Sequence, residues 1–163
     1  MLDILAFWYQ VIIASEPLLK ECIFVLKDHG FEGRLKAFYR KHLDDERHHA
    51  QWLREDLGDH PIELHMGAAT LAGTQYYLIR HVHPVALMGY MIALEGRGIV
   101  PGVVEAVEAM HGAQAARTLR LHAEEDPKHI AELLSFEIPD EFAALVESSR
   151  LQTVRFLESI DAS

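Results

Sequence analysis

Apolar residues recur at three- and four-residue spacing along almost the whole chain, and strand-like alternation is hard to find. That period predicts helices. Six segments read this way: 2–28, ended by His29-Gly30; 32–57, ended by Gly58 with Pro61 beyond; 62–81; Pro84 to Gly112, with a break at Gly98–Gly102 (GIVPG); 114–135; and Pro139-Asp140 to Ile160. A glycine just past the last periodic residue, with a proline soon after, is a usual helix stop. The third segment is rich in small residues (MGAATLAGT at 66–74), which let a helix approach a neighbour closely or line a cavity. No low-complexity linker divides the chain, so residues 1–163 are expected to form one domain. The pattern therefore predicts an all-α, single-domain bundle of six to seven helices.

Two of the apolar stripes are interrupted by ionisable residues in the same order. Residues 42–49 read HLDDERHH and residues 122–129 read HAEEDPKH. In each, a histidine is followed four positions on by a carboxylate and three further on by a second histidine. Each helical residue turns about 100°, so His122, Asp126 and His129 share one wedge spread over roughly 10 Å of axis. The apolar stripe of that helix passes through the same wedge, from Ala115 and Leu119 to Leu133. Leu35, Phe38 and Leu53 do the same around His42, Glu46 and His49. Each copy also follows a helix with a lone acid in an apolar stretch, Glu16 in QVIIASEPLL and Glu95 in MGYMIALEGRG. The chain thus reads as a weak internal duplication.

Burying such groups unpaired is costly, and a metal pair is an economical compensation. Four helices bearing Glu, Glu-xx-His, Glu and Asp-xx-His form the ligand layout of carboxylate-bridged di-iron sites in helical bundles. Here the set is Glu16, Glu46 with His49, Glu95, and Asp126 with His129. His42 and His122 are further candidates, as ligands or as partners that orient ligands. Mixed oxygen and imidazole donors suit two irons, and manganese equally. Both Asp126-Pro127 and Glu16-Pro17 can also be read as helix starts, with an acid at the cap and proline in the first turn. Pro127 cannot donate to the carbonyl of Ala123, which predicts a kink or bulge beside Asp126.

Composition agrees with this and narrows it. Histidine is abundant, at 11 residues, and is the commonest metal ligand. A net charge of −10 argues against a nucleic-acid partner, which needs a basic surface. No run of 18 uninterrupted apolar residues is present, so no membrane span is expected. The N-terminal stretch MLDILAFWYQVIIASEP carries Asp3 and no basic residue before its apolar part, which fits an amphipathic helix better than a signal peptide. Cys22 is the only cysteine, so no intrachain disulfide can form and a cytoplasmic location is expected. Asp44, Asp45, Glu124 and Glu125 read as exposed acidic faces, Tyr76, Tyr77 and Tyr90 as core, and Cys22 as a small buried apolar residue.

The pieces LEGRGIVPGVVEAVE and LRLHAEEDPKHIAELL resemble the C-terminal half of the heme-oxygenase-like di-metal oxidases. That family is characterised by a Glu on one helix and His-xxx-Asp-xx-His on a later one, matched here by Glu95 and by His122, Asp126 and His129. Glu46 and His49 match the earlier half of the family site, and the resemblance covers roughly residues 35–135. It implies a heme-oxygenase-like fold without haem, two iron ions, O2 as co-substrate, and oxidation of a small amino-acid-derived or fatty-acid-like substrate, often in natural-product pathways and often as a homodimer. The chain departs from the pattern in its short length, in Glu16, which sits where a ferritin-like four-helix bundle would use it, and in His42, which mirrors His122. The expected function is a non-haem di-iron oxygenase. The rivals are a ferritin-like iron-oxidising or storage protein and a metal-free helical relative. Arg97 is the candidate anchor for a substrate carboxylate, and residues 66–74 and 85–94 are the candidate pocket walls.

Overall fold

The computed structural model describes residues 2–100 and 102–161. All regular structure among them is helical. The order is α1 (Leu2–Ile12), α2 (Ser15–Val25), α3 (Gly30–Asp45), α4 (His49–Leu57), α5 (Met66–His81), α6 (Ala86–Glu95), α7 (Val103–His111), α8 (Arg117–Ser135) and α9 (Asp140–Asp161). The six segments of the sequence pattern are all present, and three of them are each divided in two.

Each division has a local cause or a local signature. The first falls at Ile13–Ala14. Pro17 has no N–H for the carbonyl of Ile13, and its ring crowds that carbonyl, so α1 stops and α2 restarts. The third, at 96–102, is a glycine break: Gly98 and Gly102 have φ of 61° and 84°, a region that favours glycine. Its Pro101 lies outside the described residues. The second, at Glu46–His48, separates Glu46 from His49 and has no glycine or proline; instead His48 itself is left-handed, with φ 79°. Conversely, the kink or bulge expected at Pro127 does not interrupt α8, which runs as α-helix from Arg117 to Ser135 with Pro127 inside it. Ala123, whose carbonyl loses its donor, is exposed, and water can satisfy it there. Asp126 is therefore an interior residue of α8 and not the cap of a new helix.

Two main hydrophobic clusters hold the bundle, and a third, of Phe7, Val11 and Ala68, ties α1 to α5. The larger joins α2, α3, α5, α6, α8 and α9 through Leu19, Leu35, Tyr39, Leu71, Leu87, Leu133 and Val146. The smaller joins α1, α4, α7 and the start of α8 through Leu5, Leu53, Leu57, Val107 and Ala116. The closest helix approach is between α6 and α9, where a Cβ on Gly89 would lie 2.0 Å from the carbonyl oxygen of Val146. By length and composition alone, Leu2–Val25 is apolar enough to cross a membrane, with mean hydropathy 1.3. It is interrupted, however, and its apolar side contributes Leu5, Val11, Leu18, Leu19 and Cys22 to the core. Tyr90 and Cys22 are buried as expected, but Tyr76 and Tyr77 are exposed on α5.

Candidate metal centre

The two repeated stretches meet in opposite directions. The rings of His42 and His129 lie 5.2 Å apart, and those of His49 and His122 lie 4.8 Å apart. The first histidine of each stretch therefore faces the last histidine of the other. This produces two groups whose ligand atoms lie within 4.8 Å of one another: His42, Glu95 and His129, and Glu46, His49 and His122. Along α8, His122 and His129 are seven residues and roughly 10 Å apart, too far for both imidazoles to serve one ion. Each group is two histidines and one carboxylate, the donor set associated with non-haem iron sites that keep open positions.

The groups adjoin. His42 Nε2 is 3.1 Å from Glu95 Oε1 in its own group and 4.0 Å from Glu46 Oε1 in the other. His49 Nδ1 is 3.3 Å from Glu46 Oε2, and His129 Nδ1 is 3.8 Å from Glu95 Oε2. Three of these atoms, His49 Nδ1, His129 Nδ1 and Glu95 Oε2, are buried without a hydrogen-bond partner. Orphaned buried donors and acceptors are rare. Two ligands on one ion sit about 3 Å or slightly more apart without bonding each other, which is the arrangement here. The residues present fit a pair of metal ions.

Partners outside the two groups orient the rings. The carbonyl of Thr118 can only accept, so His122 donates to it from Nδ1 at 2.9 Å and keeps Nε2 for a ligand role. His49 Nε2 is 3.8 Å from Glu125 Oε2, so Glu125 is half-buried beside the site and not part of an exposed face, unlike Glu124. The ring of His42 stacks on Phe38.

Charge is crowded here, and it pushes the buried groups in different directions. Burial opposes ionisation of Glu46, but His49, His42 and His122 outweigh it and hold its carboxyl down at about 2. Burial likewise opposes protonation of His42 and His49, yet Glu95 beside the first and Glu46 beside the second raise both. Burial lowers His122. Asp126 moves the other way: burial, then the Glu95 and Glu46 carboxylates, push it up to about 7. It is buried and feels the acids of both groups, which places it near each without belonging to either.

Glu16 is not part of the site. It is substantially exposed and paired with Lys20 Nζ at 2.5 Å. The turn at Ile13–Ala14 starts α2 at Ser15, one residue before it, and leaves it on the outer side. The ligand set that a ferritin-like bundle would draw from Glu16 is therefore not assembled, and His42, a further candidate in the sequence, groups with Glu95 and His129 instead.

A cavity of about 340 Å³ opens beside the two groups. His42, Glu46, Glu95, His122 and Asp126 line one end, and the rest is chiefly aliphatic. It lies at the seam between the two hydrophobic clusters, with Leu19, Leu87 and Met91 from one and Leu5, Leu53 and Val107 from the other. Of the expected walls, 85–94 contributes Leu87, Tyr90, Met91 and Leu94, while no residue of 66–74 lines it. Arg97 lines it from the glycine break, its guanidinium 5.6 Å from the Trp8 ring centre. Tyr90 also lines it; the hydroxyl is buried without a hydrogen-bond partner, and burial, with Glu46 nearby, raises its pKa. No family model, curated protein or solved structure matches the chain.

Proposed function

We infer that the chain is a non-haem di-iron oxidase or oxygenase that uses O2 on a small organic substrate. The observation that carries this reading is the pair of adjoining two-histidine, one-carboxylate groups at the end of an apolar cavity. His42, Glu95 and His129 would hold one iron and Glu46, His49 and His122 the other. Bound iron would supply O2 activation, chemistry that no side chain performs. The residues that carry the resemblance to the heme-oxygenase-like di-metal oxidases are among these ligands, which supports the same reading.

The chain's own residues do the remaining work. The aliphatic walls hold the substrate and exclude water, which strengthens polar interactions at the site. Asp126, held at about 7 in the metal-free chain, can hold a proton between the two groups. Tyr90 stays protonated and offers a hydrogen bond in an otherwise apolar wall. Arg97, at the edge of the cavity, suits a substrate carboxylate. A cavity of this character beside the metal groups, with Glu16 outside, favours an organic substrate over iron storage.

The test is anaerobic Fe(II) loading followed by metal analysis and O2 uptake. About two irons per chain are expected, falling to about one in His129→Ala and in His122→Ala, with O2-dependent turnover lost in both. Full occupancy in either variant would overturn the assignment.

A further inference from the structure

Asp56, on α4, lies outside both ligand groups, and nothing in the sequence pattern marks it. Its side chain is fully buried, although it sits seven residues beyond His49 on a helix only nine residues long. The oxygens of a buried carboxylate need several hydrogen-bond donors. Asp56 has them, and all come from the first turn of α8 and the residues just before it. The Thr118 backbone N–H donates to Oδ2 at 2.8 Å and the Thr118 hydroxyl donates to the same oxygen at 2.5 Å. Gln114 Nε2 donates to Oδ1 at 3.2 Å, and Arg117 Nη2 lies 2.9 Å from Oδ1.

The first turn of a helix has free N–H groups and a partial positive charge, so an anion there is stabilising. No residue of α8's own sequence caps it; its cap position is Ala116. Asp56 does so from another helix. The two helices joined by this contact are the ones that bear His49 and His122, and these two histidines belong to the same ligand group. The clamp also ends on Thr118, whose carbonyl receives the Nδ1 proton of His122. The helices that bear His42 and His129 are joined differently, by the exposed Lys41–Glu132 ion pair and not by a buried carboxylate.

We propose that Asp56 is a positioning residue for one half of the metal centre: by tying the start of α8 to α4 it sets the His49–His122 spacing and the orientation of His122, and so the affinity of the Glu46–His49–His122 group alone. This rests on the metal-binding reading above. Groups that orient metal ligands typically contribute 10- to 100-fold in affinity.

The test is Co(II) titration, followed by its visible absorption and by metal analysis, with circular dichroism to check the fold. The wild type should bind two Co(II) per chain. Asp56→Asn should bind one with unchanged affinity and the second about 10- to 100-fold more weakly. The site is assigned in two backgrounds. In His129→Ala, which keeps the Glu46–His49–His122 group, adding Asp56→Asn should weaken the remaining ion by the same factor. In His122→Ala, which keeps the other group, it should change nothing. A general loss of structural integrity would affect both backgrounds, and that result, or no effect in either, would overturn the proposal. Should Asp56→Asn not fold, Thr118→Val removes one of the four donors; it should weaken the same group selectively, and equal or absent effects on the two groups would overturn the proposal as well. A wild type that binds no Co(II) refutes the metal-binding reading itself. A wild type with two ions and an indifferent Asp56→Asn refutes only the role of Asp56.

Discussion

Asp126 shows how much a single position depends on its surroundings. In the unfolded chain it is an ordinary aspartate; in the folded, metal-free protein two neighbouring carboxylates and burial bring it to about 7. A carboxyl raised in the folded state gives stability that is complete below its unfolded pKa and is lost as pH rises through about 7. Glu46, lowered to about 2, acts in the opposite sense, but its contribution is lost only as pH falls below the usual carboxylate range. Between pH 5 and 8 the raised His42 and His49 act in the same sense as Asp126, so comparison of the wild type with an Asp126 variant isolates the aspartate. In EDTA-treated protein, Asp126→Asn is expected to gain on the wild type by roughly 2 kcal/mol between pH 5 and pH 8, allowing for solvent screening. Urea unfolding at the two values checks this, and a constant difference would count against it. Glu16 is the contrasting residue. Exposed and paired only with Lys20, it should be dispensable: Glu16→Gln should keep about two irons per chain and change stability by less than about 0.5 kcal/mol.

At the scale of elements, interruptions place the site. Glu46 ends one helix and His49 begins the next, with left-handed His48 between them. This turn brings His49 Nδ1 to Glu46 Oε2 and sends α4 toward α8. A non-glycine residue in that conformation costs about 1–2 kcal/mol. His48→Gly is therefore expected to raise stability by up to about 1 kcal/mol, less than the full cost because glycine is also freer in the unfolded chain. Iron content should stay unchanged, since His48 is exposed and outside both groups. A loss of iron in this variant would show that the imidazole itself matters. The glycine break after α6 acts differently: it ends the helix directly after Glu95 and brings Arg97 and Val100 round to the cavity.

At the scale of the whole molecule, the site occupies the seam between two hydrophobic clusters, where both helix sets present ionisable residues inward. Glu46 lies 4.0 Å from His42 of the other group, and Asp126 feels both Glu46 and Glu95, so the site gathers three carboxylates that divalent ions would neutralise. Divalent ions should therefore stabilise the folded chain. With free Fe(II) or Co(II) at about a hundredfold above its dissociation constant, a gain of about 2.7 kcal/mol is expected for each site. Thermal unfolding with metal and then with excess EDTA measures it, and an unchanged midpoint would speak against binding to the folded state.

The sequence by itself determined the all-α class, the six helical segments and most of the candidate metal-ligating residues. Those features follow from local rules: the helical period, glycine and proline stops, and charged residues in an apolar stripe. Glu46, His49, Glu95, His122 and His129 were legible for that reason. The partition of ligands was not, because it depends on two helices passing in opposite directions, and periodicity carries no direction. Only the tertiary structure grouped His42 with Glu95 and His129, left Asp126 between the groups, and turned Glu16 outward. It also decided where a proline breaks a helix: Pro17 does so and Pro127 does not, although each follows an acid. Asp56 had no local signal at all, since its donors lie about sixty residues away and are brought together only by the packing of α4 against α8. Local chemistry can thus name the candidate ligands, while the packing of helices from distant parts of the chain decides which of them come together.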